Sequence, residues 1–375
     1  MDLKQVWEDW ELDGEGYISG IDQALDEKIP ELEEALSKSL VISLFGNVNA
    51  GKSSLLNKIT GIKYTDISPI PGWTKHVNLY PFPGFKNVKI ADTPGLEDIT
   101  EEVAERAEEF VQKDSDIVLF VLNATVGITR AEKQAFDSLR SQEYPLVVVL
   151  NKIDLLKPKD RDILIPDLKE KLNLGEEIPF CATSAETGEG IDELIMIISE
   201  ILETVGKDLL FAKIVREKDK IVDKWIWGAI LSAAAIGAIP IPGSDIIPLT
   251  ILQTGLIIKI AHVYGVKISK GDARLFISQV IVGGTGKTIF RQLVKGIALL
   301  FPPGAVAVAV IAAGVAGAMT YALGKVAKAY FKSGERIPVP ELQRIYEEAK
   351  REKVLLESLK QKADKLPSVK RGGDV

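Results

Sequence analysis

At 375 residues the chain is longer than one ordinary hydrophobic core serves, which predicts two domains with appendages. Its 46% apolar and 26% charged residues exclude a disordered polymer. A single cysteine, Cys181, and two histidines, His76 and His262, exclude a disulfide framework and a histidine/cysteine metal cage, so any metal must be a hard cation held by oxygens. The net charge of −7 is unevenly spread: residues 1–205 carry 20 Lys/Arg against 39 Asp/Glu, residues 206–334 carry 16 against 6. Two readings fit that asymmetry: an acidic domain docked on a basic one, or a basic region facing anionic lipid or RNA.

Met1–Trp10 carries four charges and no apolar run, so no secretory signal is expected, and the cysteine usage fits the cytoplasm. Ile21, Leu25, Ile29, Leu32 and Leu36 recur at helical spacing and predict an amphipathic helix over 20–39. Leu40–Phe45 reads as a first strand, followed by a glycine-bearing loop and a helix from about Lys52. Gly46-Asn47-Val48-Asn49-Ala50-Gly51-Lys52-Ser53 fits G-x-x-x-x-G-K-[ST] between that strand and that helix, the setting such a phosphate loop needs. Glycines let backbone N–H groups curl round a β-phosphate at a helix N-terminus, Lys52 neutralises β/γ oxygens, and the Ser53 hydroxyl suits Mg²⁺. The candidate phosphate-binding set is Asn47, Asn49, Ala50, Gly51, Lys52, Ser53 and Ser54.

Pro71-Gly72-Trp73-Thr74-Lys75 lies in a loop, where Thr74 could complete the Mg²⁺ shell. Val88–Ala91 is a short strand ending in Asp92-Thr93-Pro94-Gly95, with Asp92 as Mg²⁺ anchor and the Gly95 N–H as γ-phosphate sensor. Lys52, Thr74 and Gly95 are thus the candidate catalytic residues, and Ser53, Thr74 and Asp92 the candidate Mg²⁺ set. Ile117–Leu122 and Leu146–Leu150 are continuous apolar runs, the pattern of strands covered on both faces of a parallel sheet. Helical stretches at about 100–113, 130–142, 160–173 and 191–205 alternate with them. After the second run comes Asn151-Lys152-Ile153-Asp154. The Asp154 carboxylate can accept both N1–H and N2–H₂ of guanine, which adenine does not offer. Asn151 braces the loop and the Lys152 stem packs over the base. Thr183-Ser184-Ala185 follows another strand-like stretch, placing Ser184 and the Ala185 N–H near the guanine O6. Five motifs in this order predict a GTP/GDP site in a P-loop NTPase fold, an α/β doubly wound, mostly parallel sheet over about 40–205.

This set resembles the TRAFAC-class GTPases of the Era, EngA and MnmE (TrmE) group. The resemblance implies a Ras-like G domain that hydrolyses GTP with Mg²⁺, with switches in the loops after Thr65 and Asp92, Thr74 matching the switch I threonine. Leu96 stands where Ras-like members carry a water-orienting glutamine, and leucine cannot orient water. Asn49 matches the asparagine that holds K⁺ in the MnmE-like members, which implies potassium-stimulated hydrolysis and a homodimer through the switch face.

Lys207–Lys224 reads as a charged connector helix. Trp225–Ser244 is free of charge and broken by Pro240 and Pro242, and Gly296–Gly324 is a second long uncharged run, rich in Ala, Gly and Val. Gly286-Lys287-Thr288 is not a second phosphate loop, because Ile281 stands where its first glycine belongs. Val282–Ile289 resembles the GxxG loop of a KH RNA-binding module, but the surrounding sequence lacks the alternating strands of that fold. Residues 225–332 more closely resemble an uncharacterised hydrophobic helical domain C-terminal to some bacterial Era-like GTPases, and the layout is similar to that of immunity-related and dynamin-like GTPases. The expected organisation is an N-terminal helical segment at 1–39, the G domain at 40–205, a connector at 206–224, a basic all-α domain at 225–335, and a last helix and tail at 336–375. The helical domain reads either as a compact bundle or as a device inserted in, or peripheral to, an anionic inner membrane, both being compatible with the length of its apolar runs. An RNA- or ribosome-associated role, as in Era, is the alternative.

Overall fold

The computed structural model describes residues 14–63, 78–93, 114–141, 144–237, 246–268, 271, 308–334 and 337–351. Thr74, Gly95, Leu96, the expected helix at 100–113, the 282–289 segment and the C-terminal tail lie outside these residues. The chain divides into two compact units, residues 33–221 and residues 1–32 with 222–375.

The first unit is built on a six-stranded sheet: β1 (Leu40–Phe45), β2 (Asn78–Phe82), β3 (Phe85–Asp92), β4 (Ile117–Asn123), β5 (Leu146–Asn151) and β6 (Phe180–Ala182), in spatial order β2-β3-β1-β4-β5-β6. All pairs are parallel except β2 with β3. The expected doubly wound, mostly parallel sheet is therefore present. The β2–β3 hairpin was not legible in the sequence: β2 contains Pro81, and as an edge strand it can carry a residue that cannot donate to a ladder.

Strands β1, β4 and β5 are buried along nearly their whole length, as continuous apolar runs require. Helices α2 (Lys52–Thr60), α3 (Arg130–Ser141), α4 (Pro158–Lys171), α5 (Ile191–Thr204) and α6 (Asp208–Ile214) complete the unit; the long helix α1 (Gly14–Ser37) precedes it. On α5, Ile191, Leu194, Ile195, Ile198 and Leu202 form one buried stripe. On α3, Phe136 meets Phe120 of β4 edge to face at 5.6 Å, and Phe120 stacks on Phe45 of β1 at 5.8 Å, so three elements share one aromatic core. The chain leaves β1 towards β3 on one side and returns to β4 on the other. That reversal makes the carboxyl end of β1 the topological switch point, the place where open α/β sheets leave a crevice.

The expected single connector helix over 207–224 is two helices, α6 and α7 (Lys218–Gly237). Val215 is extended, with ψ of 151°, and the Arg216 N–H bonds the Ile59 carbonyl at 2.9 Å instead of continuing the helical ladder. A backbone partner outside the helix decides the break.

In the second unit, α7 continues to Gly237 and is followed by α8 (Ile246–Val263), α9 (Val308–Lys332) and α10 (Val339–Arg351). Pro248 sits in the first turn of α8, where its missing N–H has no intrahelical partner to lose. Residues 316–324 of α9 are buried on every side, so α9 is the central helix, packed against α8 and α10. Small residues allow the close approach: a Cβ added to Gly324 would lie 2.7 Å from Ile226 Cγ1. The N-terminal part of α1 belongs to this unit and buries Ile21, Ala24, Leu25 and Leu32; a Cβ on Gly20 would lie 2.9 Å from Thr250 Cβ. Among the described residues no helix is long and apolar enough to cross a membrane.

Candidate nucleotide site

Four loops meet at the carboxyl ends of β1, β4, β5 and β6, with the end of β3 beside them. The first leaves β1 through Gly46, whose φ of 145° and tight seat exclude a side chain: a Cβ there would lie 2.1 Å from the Val121 carbonyl oxygen. Gly51 caps α2 in the left-handed region with φ of 89°, and a Cβ on it would lie 2.4 Å from Asn151 Nδ2. Between them the Ala50 N–H donates to the Asn47 carbonyl at 3.2 Å, closing the loop into a cradle whose N–H groups precede a helix.

Lys52 is folded back inside that cradle. Its Nζ donates to the Gly46 carbonyl at 2.9 Å and the Asn47 carbonyl at 3.2 Å. Burial lowers its pKa, while the carboxylates of Asp92 and Glu132 act in the opposite direction. An ammonium held by two carbonyls can exchange them for phosphate oxygens, a stronger charge-assisted partner. Ser53 and Ser54, the next residues of α2, are exposed.

Asp92 ends β3 directly across from Leu44 of β1. Burial raises its pKa, against the pull of Lys52, and its Oδ1 is buried with no hydrogen-bond partner among the described residues. Thr93 is anchored beside it, with N and Oγ1 both donating to the Leu44 carbonyl at 3.2 and 3.0 Å. A buried carboxylate oxygen left unmatched and an exposed serine hydroxyl are oxygen donors of the kind a hard divalent cation takes, while the lysine ammonium suits the phosphate that would accompany it.

On the base side, Asn151 holds two loops together. Its Nδ2 donates to the Ala50 carbonyl at 3.0 Å, and its Oδ1 accepts from the Ala185 N–H at 3.1 Å and the Thr183 hydroxyl at 3.4 Å. Lys152, in the left-handed conformation at φ 68°, passes its stem beside Gly51: the Gly51 Cβ position lies 3.6 Å from Lys152 Cε. Asp154 sits in a short 3₁₀ turn, Ile153–Leu155, pinned by the Ile153 N–H on the Thr183 carbonyl at 3.2 Å. Ser184 Oγ accepts the Thr187 N–H at 3.0 Å, which shapes the third loop. The third loop is also tied from outside, by Lys58 donating to the Glu186 carbonyl at 3.1 Å and by the Arg161–Glu189 ion pair at 2.7 Å. Cys181 on β6 is buried and its thiol pKa is pushed up to about 12, first by desolvation and then by Glu193, so it is a packing group.

The structure thus brings together Asn47, Asn49, Ala50, Gly51, Lys52, Ser53, Ser54, Asp92, Asn151, Lys152, Asp154, Ser184 and Ala185, while Thr74 and Gly95 lie outside the described residues. Two residues missed by motif reading also belong here. Thr129 receives the Asn47 side-chain amide at 3.3 Å, and Glu132 is buried behind it. The signal was present, since T-x-x-E before a helix is a capping box, but a capping box in sequence does not announce that it faces a phosphate loop.

Residues 41–152 match the family described as 50S ribosome-binding GTPase. This part of the chain is a P-loop GTPase domain. Residues 199–355 match a second family, Domain of unknown function (DUF697), so an uncharacterised helical domain follows the GTPase domain. GTPase Der of Lawsonia intracellularis (strain PHE/MN1-00) is 32% identical over 44% of this chain and 38% of its own length. Translation initiation factor IF-2 of Francisella philomiragia subsp. philomiragia (strain ATCC 25017) is 31% identical over 51% of this chain and 23% of its own. The crystal structure of a probable GTP-binding protein engB aligns over 44% of this chain and 99% of that one, at 26% identity and a TM-score of 0.33. The chain spans less than half the length of these two curated relatives.

Proposed function

We propose that the GTPase domain of this chain binds GTP with Mg²⁺, hydrolyses it to GDP, and uses the nucleotide state to control the hydrophobic helical domain. The observation that carries this reading is Asn151, one side chain bonded to both the phosphate loop and the 183–185 loop, with the Asp154 carboxylate beside it and given no hydrogen bond by any described group. A carboxylate there matches the two donors of a guanine edge and meets none on adenine, so selection follows from leaving a charge unmatched. Ser53, Asp92 and, by motif position, Thr74 would hold the Mg²⁺, which supplies neutralisation of the β/γ-phosphate charge. Around it, Lys52 and the N–H groups of the cradle orient the phosphates, and Gly95 is the γ-phosphate contact by motif position. Asn49, exposed at the loop apex with φ of 62°, is the group we assign to a monovalent cation. Homodimerisation through the switch face belongs to the same reading.

Titration of the purified full chain with guanosine and adenosine triphosphates, together with phosphate release, tests the proposal. Preference for guanosine by about a hundredfold or more is expected from a matched against an unmatched carboxylate. Equal affinity, or binding of neither, overturns it. Turnover that is the same in Na⁺ and K⁺, at low and high protein concentration, removes the cation and dimer elements only.

For the helical domain we propose peripheral attachment to an anionic membrane surface. Lys224, Lys259, Lys325, Lys328 and Lys332 sit on or beside the described apolar helices, and cations so placed suit an anionic leaflet. The family description, 50S ribosome-binding GTPase, favours a second reading in which the basic region meets ribosomal RNA. Flotation with anionic vesicles against co-sedimentation with ribosomes, in GDP and in a non-hydrolysable GTP analogue, separates the two.

A further inference from the structure

A capping box ordinarily serves its own helix at the protein surface, with its carboxylate in water. The one at the start of α3 is different. The Thr129 N–H and hydroxyl both donate to Glu132 Oε2, at 2.9 and 3.0 Å, and the Glu132 N–H returns to Thr129 Oγ1 at 3.2 Å. Glu132 is only 2% exposed. A buried carboxylate is costly unless it is well bonded, so its presence here calls for a role beyond capping.

The Thr129 hydroxyl shows what the role is. Its proton goes to the carboxylate, which leaves its lone pairs for two donors, the Glu132 N–H and the Asn47 Nδ2–H at 3.3 Å. Donation to a carboxylate polarises the hydroxyl and makes it a better acceptor. Asn47 is the residue whose carbonyl turns the phosphate loop, taking the Ala50 N–H and Lys52 Nζ, each at 3.2 Å. Thr129 itself is presented by a braced loop. The Ala124 N–H bonds the Asn151 carbonyl at 2.9 Å, Asn123 Oδ1 takes the Thr125 N–H at 3.0 Å, and the Val126 and Gly127 N–H groups both return to the Asn123 carbonyl at 3.0 Å. Glu132 also lies near enough to Lys52 to favour its charged form.

We propose that Thr129 and Glu132 are positioning residues of the phosphate loop, holding Asn47 so that the loop grips a β-phosphate. The proposal rests on the guanine-nucleotide reading above. Its test compares GDP with GMP, because GMP lacks the β-phosphate and the ratio of affinities isolates what the loop contributes. Calorimetric titrations use the full chain with Mg²⁺, as wild type, Thr129→Val, Thr129→Ser and Glu132→Gln. Thr129→Val is expected to weaken GDP about tenfold, the loss of a carboxylate-supported hydrogen-bond relay, while GMP changes by less than about twofold. Thr129→Ser, which keeps the hydroxyl, restores GDP affinity to within about twofold of wild type, and Glu132→Gln weakens GDP by about threefold. Unchanged GDP affinity in Thr129→Val, or equal losses for GDP and GMP, overturns the positioning role; if that variant does not fold, Glu132→Gln is judged by the same ratio. A wild type that binds no GDP fails the nucleotide reading itself, a distinguishable result.

Discussion

The two units bury polar groups in different ways. In the GTPase domain the polar side chains gather at the carboxyl ends of four strands and bond across loops distant in sequence: Asn151 to Ala50 and Ala185, Asn47 to Thr129, Thr93 to Leu44. In the helical unit they are set into packing seams between helices. Gln253 of α8 donates to Thr320 of α9 at 3.0 Å, Thr320 returns to the Ala316 carbonyl at 2.8 Å, and Thr250 and Thr254 are fully buried on the same stripe of α8. Convergence of many partners on one crevice builds a site, whereas pairs in a seam set the register of helices. The first arrangement therefore declares a ligand and the second only a packing.

Substitutions test that contrast, and the largest effect belongs to the convergent side. Lys52→Ala removes the only described cation inside the cradle, and GTP affinity should fall by about a hundredfold or more, since charge-assisted phosphate contacts are worth about 1.5–3 kcal/mol each. Binding retained within tenfold would mean that the backbone cradle, not Lys52, holds the phosphates. Asp154→Asn replaces an acceptor by an amide that can also donate. GTP affinity should drop about tenfold to a hundredfold while xanthosine triphosphate gains, since its ring offers a carbonyl where guanine offers an amino group. Competition between the two nucleotides reads the outcome, and an unchanged preference removes Asp154 from base recognition.

Asn151→Ala sharpens the comparison by touching stability and site together. It removes the acceptor of the Ala185 N–H and the donor to the Ala50 carbonyl at a fully buried position, so chemical denaturation should show a loss of about 2–4 kcal/mol in nucleotide-free protein. In the helical unit, Gly324→Val would push a side chain into Ile226, at a cost of about 1–3 kcal/mol. Thr320→Val, which takes away the acceptor of the Gln253 amide, should cost about 1–2 kcal/mol, with Gln253→Leu added to it recovering part of the loss. If the nucleotide state controls the helical domain, reciprocal linkage requires these helical variants to shift the ratio of GDP to GTP-analogue affinity by more than about twofold. An unchanged ratio in both would show that the helical packing and the nucleotide site are energetically independent.

Much of the GTPase domain was legible because its chemistry fixes residue type at fixed spacing. A loop that wraps a phosphate needs Gly46 and Gly51 where side chains would collide with Val121 and Asn151, and the buried runs of β1, β4 and β5 state a parallel sheet outright. The β2–β3 hairpin escaped because Pro81 breaks the strand composition, while an edge strand accommodates it at a register shift between Pro81 and Phe82. Helix α1 was legible from Ile21, Leu25 and Leu32; that its first part packs with the C-terminal helices was not, since an apolar stripe does not name its partner.

The sequence by itself determined the order of the five nucleotide motifs, the sheet that carries them and the helical nature of the C-terminal region, because spacing and hydrophobic period are local properties of the chain. Tertiary structure alone decided that Asn151 joins two loops, that Lys52 rests on its own loop's carbonyls, that the connector breaks at Val215, and that the Thr129–Glu132 cap reaches Asn47. Asn151 and Ala50 lie 101 positions apart, and a hydrogen bond between such residues exists only once the sheet has brought its strand ends together.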